Sequence, residues 1–524
     1  MAAELQTDVL IIGAGPTGLM LANWLAKLNI KHIIADGKSG PTRESRALGV
    51  QARSMEIYDQ LDLAGTIVAE GNLAEAAVIG FGPKPRGRIP LGRMGRGITP
   101  FPGIMFYEQS KNEELLLRNL KVLGGEVLWE CRLAELDIVE GGTSPDYPVR
   151  ARLTGPAGEA VIRARYCVGA DGASSAVRTS RGISFEGSTS PHTFFVCDAT
   201  DVRGLSDEAI NIRAGMDEFL LGFPMTGPGH ERLIGVVGDA AAGVQGHNND
   251  GGAEVSEEAI RGRLADKFDV GYGGSNWFST YRVHHRIAGQ FRDGPVFLAG
   301  DAAHVHSPVG AQGMNTGLQD AHNLAFKFAD ILSGQAADSY LDRYQTERRP
   351  VAVRLLQTTD RVFGFVTSTT PWAIAARKWV LQFLIPVVTR VVPRTSGASR
   401  MFGYLSQTRI HYWMTPDAKE AAGGRRGKVV GRRLPYAGSN FDTLRSLQWQ
   451  VHSYGEPGPA VVNHVQAALG LTMHVLPRAG NTTLDPAQLY LVRPDGFVAA
   501  QAVPSHAVST FTEALRRGRR SVKV

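Results

Sequence analysis

At 524 residues the chain exceeds the roughly 100 to 200 of one ordinary domain, so two or three domains around a large core are expected. Its 43% hydrophobic and 20% charged residues are those of a globular protein, and a net charge of +6 without internal basic blocks argues against a nucleic-acid binder while suiting anionic ligands such as nucleotides. Three cysteines, Cys131, Cys167 and Cys197, form neither a CxxC pair nor an even disulfide set, which points to a reducing cytoplasm and away from a structural metal.

The first element is strand-like: TDVLII, residues 7 to 12, is a short apolar run that ends in GAGPTG, and LMLANWLAKLN follows with apolar residues at helical spacing. No positive segment precedes it, so it does not read as a secretory signal. The next strand, HIIAD, ends in Asp36, about 20 residues beyond the glycines, where a ribose-binding acid belongs. The three glycines then divide the work: Gly13 makes the tight turn, Gly15 lets a pyrophosphate approach the backbone, and Gly18 lets helix and strand close. The helix N-terminus offers unpaired N–H groups to the phosphates. A merely structural turn before a core helix would leave Asp36 without a purpose.

Two further strands run into acids at glycine-rich turns: RARYCVGADGASSAVR, with Asp171 and Arg178, and GPVFLAGDAAH, with Asp301. Taken singly, Asp171 could cap a helix, and Arg46 and Arg178 could pair with surface acids. Between these segments the runs HTFFVCDATDV, DEFLLGFPM and ERLIGVVG predict an antiparallel sheet, with Phe219, Leu221 and Phe223 as an apolar lining or as plain core. His304 and His306 lack a third ligand at metal spacing, and His284 and His285 read as structural. TGLQDAHNLAFKFADILSG carries Leu318, Ala321, Ala325, Phe328 and Leu332 on one stripe, a core helix. VLQFLIPVVTRVV, broken by Pro386 and Arg390, is too short to span a membrane and reads as buried or domain-bridging. Beyond about Gly403 come loops rich in Gly and Arg, LYLVRPDGFVAA and an amphipathic helix; with no cysteine there, thiol redox work is excluded.

GAGPTG with Asp36, ADGASSAVR and GDAAHVHSPVGAQGMNTG together resemble the fingerprints of the single-component, FAD-dependent aromatic hydroxylases similar to para-hydroxybenzoate hydroxylase. ESRALGVQARSMEIYDQL, YEQSKNEELL and YQTERRPVA extend the likeness over roughly the first 350 residues, and ESRALGVQARSME is similar to the hydroxylases of aromatic polyketide pathways. The implied fold is α/β: a Rossmann-like FAD-binding domain (1–184 and 282–400), an inserted antiparallel β-sheet substrate domain (185–281, completed by 75–105), and a thioredoxin-like C-terminal domain (403–524). LVRPDGFVA resembles that last domain, although FVAAQ departs from the aromatic residue usual in relatives.

The resemblance further implies that Asp301 bonds the ribitol of FAD and that the turn from Gly310 through Gly313 and Met314 to Asn315 lays backbone N–H groups against the flavin pyrimidine. Arg46 and Gln109 would meet the ribityl diphosphate, Asp171 the pyrophosphate and a transient NADPH or NADH, and Pro308 would present its carbonyl near the reacting edge. The implied reaction is a monooxygenation: NAD(P)H reduces FAD, O2 adds, and a flavin C4a-hydroperoxide hydroxylates a phenolic or polycyclic aromatic ring. The general base has no candidate, because Leu48 stands where phenol-hydroxylase relatives have an aspartate; a substrate acidic enough to ionise unaided would need none. With a single Rossmann fingerprint, a second nicotinamide domain is not expected. The alternatives are Baeyer-Villiger insertion, antibiotic inactivation or dehydrogenation on the same fold, and a non-catalytic binding protein. A cytoplasmic enzyme acting on a small aromatic molecule, free of nucleic acid and membrane and able to form a homodimer, is the overall expectation.

Overall fold

The structure, a computed structural model, describes residues 4–42, 47–139, 146–216, 218–237, 244–247, 253–306, 312–367, 370–391, 396–413, 428–478 and 483–518. The apolar run in strand Glu4–Ile12 forms the middle of an eight-stranded sheet, flanked in parallel by Gly158–Gly169 and His32–Ala35. Val9, Leu10 and Ile11 are wholly buried, the signature of a parallel strand covered on both faces. Gly158–Gly169 pairs in turn with Val296–Leu298, and His32–Ala35 with Val127–Leu128.

Register is what makes this sheet useful. Ile12 lies opposite both Ala35 and Gly169, and Gly169 lies opposite Leu298. The chain therefore leaves four parallel strands at one level, into the turns that begin at Gly13, Asp36, Ala170 and Ala299. That row is the carboxyl edge, where open α/β sheets bind ligands.

A second eight-stranded sheet stands over this edge, in the order His304–Val305, Gly274–Ala288, Phe185–Thr200, Glu231–Val237, Phe219–Pro224, Ala209–Ala214, Ala76–Phe81, Lys84–Pro90. Its neighbours are antiparallel except Ala209–Ala214 with Ala76–Phe81, which run parallel because the latter strand belongs to a separate excursion of the chain. Strand alternation sorts the side chains. Leu233 joins Phe195, Cys197 and Leu220 on the outer face, whereas Ile234 and Val236 join Phe194, Phe219, Phe223 and Tyr281 on the face toward the first sheet.

Helix Gly313–Leu332 packs on helix Pro16–Lys27 and is the hub of the molecule. Leu318, Ala321, Ala325 and Phe328 are fully buried as the apolar stripe predicts, but Asp320, Asn323 and Lys327 on the other side are buried as well. They are covered by helix Asp342–Thr367 and by the C-terminal unit. That unit runs Gln450–Ser453, helix Pro459–Leu469, Thr472–Val475, Leu489–Val492, Val498–Ala502 and helix Ala507–Gly518. Its one parallel pair is bridged by a helix and followed by an antiparallel pair and a second helix, a thioredoxin-like topology.

Of the two readings of VLQFLIPVVTRVV, buried or domain-bridging, burial is overturned. Phe383, Val387 and Val391 are exposed, while Thr389 packs at Gly87 of strand Lys84–Pro90, so the segment lies on the surface and turns its apolar side outward. No helix among the described residues is long and apolar enough to cross a membrane.

Candidate active site: four turns beneath a sheet

The row of strand ends opens into a cavity of about 1000 Å³ between the two sheets. Gly15, Asp36, Asp171, Asp301, Gly313 and Met314 all line it. The three motif glycines differ as their spacing demands. Gly13 has φ +106°, and a Cβ there would lie 2.3 Å from the Ala170 carbonyl oxygen; a Cβ on Gly18 would lie 1.9 Å from that of Gly13. At Gly15 a Cβ would meet nothing within 4 Å, because that position faces the open cavity. Helix Pro16–Lys27 begins there with no side-chain cap, so its first N–H groups are presented to the cleft.

The acids are held by the backbone around them. Asp36 accepts from the Ala14 amide at 2.6 Å and from Lys38 at 2.8 Å, bracing the glycine turn from the next strand. Asp171 accepts from the Ser175 hydroxyl at 2.5 Å and from the Val177 amide at 3.2 Å, so it does staple the short helix Ala176–Ser180 while lining the cavity. Burial pushes its carboxyl above the ordinary value, against those hydrogen bonds. Among the described residues Arg178 pairs with no surface acid; it donates to the Ala302 and Ala173 carbonyls and stacks 3.8 Å from the Phe185 ring centre, tying the third turn to the fourth.

Asp301 sits exposed on the 3-10 turn Gly300–Ala302, at the cavity wall. Beneath it Asp320 accepts from the Gly300 amide, from Arg348 at 2.7 Å and shares 2.8 Å with His304 Nε2. Burial opposes charge on Asp320, but Arg348 and His304 outweigh it and hold the carboxyl below its usual value. His304 is thus committed to a carboxylate. Thr17 completes the joint: Cβ atoms at Gly300 and Gly317 would meet its hydroxyl at 2.5 and 2.3 Å, so one side chain fills the gap between glycine turn, acid turn and central helix.

The upper wall comes from the second sheet and its neighbours. Leu48, Phe106, Val196, Phe223, Ile234, Trp277, Tyr281 and Val283 give it an apolar, aromatic surface, with Arg232, Ser279, Arg282 and His284 as the polar points. His284 Nδ1 bonds the Thr189 hydroxyl at 2.9 Å.

Of the residues singled out in the sequence, Phe223 lines this wall, whereas Phe219 and Leu221 are buried in the same cluster without lining it. Gln109 lines the cavity, accepts from the Ala47 amide at 3.2 Å and donates to Glu113. Asn315 is fully buried just inside: it accepts from the Gln51 amide and donates to the Gly49 carbonyl, each at 2.8 Å, latching that segment to the hub helix. Arg46, Pro308 and Gly310 lie outside the described residues. Sequence reasoning missed Glu113, Thr17 and Arg232. Glu113, wholly buried on the wall, accepts from the Thr42 amide at 2.7 Å; its place four residues after Gln109 on one helix was the available signal.

These features define a cleft of the dinucleotide-binding class, roofed by an apolar and aromatic sheet. A family model described as an FAD binding domain matches residues 6–359, and the chain belongs to that family. The chain is 31% identical to a 6-methylpretetramide 4-monooxygenase of Streptomyces rimosus, covering 97% of this chain and 93% of the relative. Among solved structures, an anhydrotetracycline hydroxylase of Streptomyces rimosus superposes with TM-score 0.74 at 27% identity, covering 98% of this chain and 99% of that one. An aromatic hydroxylase from angucycline biosynthesis gives 0.75 at 26% identity over 99% and 100%. The chain is an enzyme, an FAD-dependent monooxygenase, and the non-catalytic alternative has nothing in its favour.

Proposed function

We propose that this monooxygenase hydroxylates a polycyclic, phenol-like aromatic compound, with FAD in the lower half of the cleft and the substrate under the second sheet. The observation that carries this reading is the single cavity shared by the four turns and an aromatic wall. FAD, when bound, supplies hydride acceptance from NADPH or NADH and the activation of O2.

The chain's own residues do the holding. The open face at Gly15 and the uncapped amides behind it suit a diphosphate, since no atom of the described residues competes for that space. Asp36 suits a ribose hydroxyl and Asp301 a ribitol hydroxyl, both being acceptors on the cavity wall. Gln109 and Arg46 are assigned to the ribityl diphosphate, and Asp171 to the pyrophosphate and the passing nicotinamide. Gly313 and Met314, at the start of the hub helix, offer amides where negative charge develops on a reduced ring, with Asn315 fixing the turn behind them. Pro308 is assigned the carbonyl at the reacting edge. The aromatic wall keeps water from the reacting atoms. No carboxylate among the described residues of that wall is positioned to take a phenolic proton, and Leu48 holds the position of the relatives' aspartate, so the substrate's own acidity is assigned that step.

We assign the protein to the cytoplasm, with homodimerisation and a division at 1–184, 185–281, 282–400 and 403–524 as working expectations; the small aromatic ligand leaves no role for nucleic acid. The deciding experiment screens phenols, naphthoquinones and anthracyclic polyketides for stimulation of NAD(P)H oxidation by the yellow holoenzyme, then follows 18O from O2 into product. Labelled, ring-hydroxylated product is expected; ring-expanded product would reassign the reaction to Baeyer-Villiger insertion, and oxidation without label to dehydrogenation.

A further inference from the structure

Pro371 to Val391 is continuously helical: helix Pro371–Trp379, a π turn over Val380–Leu384 and helix Ile385–Val391. Ala373 and Thr389 are buried against the protein, while Trp372, Trp379, Phe383, Val387 and Val391 are 72%, 58%, 61%, 55% and 52% exposed. These five follow one another at intervals of seven, four, four and four residues. In an ideal α-helix each four-residue step drifts by about 40° round the axis. The wider π turn takes up much of that drift, and the side chains make one stripe about 30 Å long. The Trp379 and Phe383 rings lie 6.4 Å apart along it, centre to centre. Exposed apolar surface this continuous, rimmed by charge, marks an interaction site.

Charge says what covers it. From Arg361 to Pro416 the sequence has seven Lys or Arg and no Asp or Glu, and from Ala76 to Tyr107 it has five and none. The two stretches are neighbours: Thr389 fills the space at Gly87 of edge strand Lys84–Pro90, and the Phe402 ring that at Gly95. The whole chain carries 56 Lys and Arg against 50 Asp and Glu, so without these twelve the remainder is net negative. Lys378 and Arg390 stand on the shoulder of the stripe, one residue before Trp379 and Val391, and Lys84 and Arg88 are exposed on the adjoining strand.

A second copy of the chain in a two-fold pairing would set this face against itself, like charge on like charge, with no acid in either stretch to relieve it. Tryptophan, Phe and Val on one side of a helix, with Lys and Arg on its shoulder and no acid, are the make-up of a helix lying in the headgroup region of a bilayer. Its long basic side chains reach from the apolar stripe up to lipid phosphates.

We propose that the stripe along Pro371–Val391 is a peripheral membrane-binding surface that takes an anionic lipid bilayer. Contact of this kind needs no spanning helix, and it departs from the sequence-based expectation of a chain free of membrane. It does not depend on which ring the enzyme oxidises.

The test is co-sedimentation of the FAD-loaded protein with vesicles of phosphatidylcholine alone and of an equimolar mixture with phosphatidylglycerol, in dilute and in concentrated salt. The wild type is expected to bind the anionic vesicles at least about 10-fold more tightly than the neutral ones, a preference that concentrated salt removes. Trp379→Glu/Phe383→Glu is expected to lower binding by about 100-fold and to keep the wild-type flavin content and melting temperature, both side chains being exposed. Lys378→Glu/Arg88→Glu is expected to weaken binding to the anionic vesicles about 10-fold and to leave the neutral arm unchanged. Should the first variant lose its flavin, the second decides. Absence of binding to anionic vesicles, equal binding to both compositions, or wild-type binding by the flavin-loaded variants overturns the inference. A dimer in sedimentation velocity that Trp379→Glu/Phe383→Glu dissociates, with no vesicle binding, also overturns it and gives the stripe to a second copy. Each of these outcomes leaves the proposed hydroxylation standing.

Discussion

The lower and upper walls of the cavity are built on opposite principles. Below, the surface is backbone: four turns at one level, glycines where no Cβ fits, and carboxylates whose orientation is set by main-chain amides. Above, it is side chains on a twisted sheet, where any residue type satisfies the strand and the alternation alone decides which ones look inward. A surface of backbone tolerates few sequences and one kind of ligand; a surface of side chains can be rewritten without disturbing the sheet. In the proposed function the first holds the cofactor and the second chooses the substrate.

The largest expected effect separates steric from binding roles within the lower wall. Gly18→Val places its Cβ 1.9 Å from the Gly13 carbonyl oxygen, and the expected outcome is loss of soluble, flavin-bearing protein, read by yield and visible absorbance. Gly15→Ala, whose Cβ meets no protein atom within 4 Å, is expected to melt like the wild-type apoprotein and to lose FAD affinity alone; equal damage from both would erase the distinction. Next comes Asp301→Ala, expected to weaken FAD binding by about 10- to 100-fold with the fold intact, the scale of one hydrogen bond to a charged acceptor. Titration of the apoprotein with FAD checks it, and an unaltered dissociation constant removes Asp301 from its assigned role.

The upper wall is expected to respond differently. Trp277→Ala, on a half-buried ring of the cavity lining, should raise KM by about 10-fold for whichever aromatic compound stimulates NAD(P)H oxidation, leaving flavin content untouched. A drop in flavin content would merge the two walls into one functional unit.

The smallest effect concerns the outer face of the second sheet, on strand Glu231–Val237. Burial first, and then the charge of Asp207, against the pull of Arg213, push the Glu231 carboxyl up from 4.5 to about 8. An acid whose folded pKa is raised holds its proton in the folded state across that window, so its contribution to stability declines as pH rises from about 4.5 to about 8. Glu231→Gln, uncharged throughout, should flatten that decline and raise the thermal midpoint at pH 8 by a few degrees. Parallel wild-type and variant curves would show that the group titrates normally.

The contrast also explains what the amino-acid order made legible. Gly13, Gly15, Gly18, Asp36, Asp171 and Asp301 could be found because steric necessity pins small residues and acids to fixed places after strands, and all six meet at one edge. Thr17 could not, since its packing against Gly300 and Gly317 joins segments nearly 300 residues apart. Arg232 was hidden in ERLIGVVG because alternation gives a residue's face only once the sheet's inner side is known. Phe219 and Leu221 show the converse: they share that face with Phe223, yet depth in the cluster keeps them from the surface. The segment around Phe383 misled because apolar composition was taken as burial; a segment on the periphery can turn the same residues outward.

The C-terminal unit contributes no residue to the cavity among those described, yet it is wired to the floor. Arg53 donates to the Asp495 carbonyl, Gln60 to those of Leu444 and Pro494, and both sit on the helix that follows Gln51, the residue Asn315 grips from the start of the hub helix. Arg493 meanwhile clasps Glu347, which neutralises the sunken Lys327. The unit is therefore a keystone: cut it away and these charges are stranded in new solvent, the latch behind Met314 slackens, and the yellow colour should drain from a pocket the missing piece never touched.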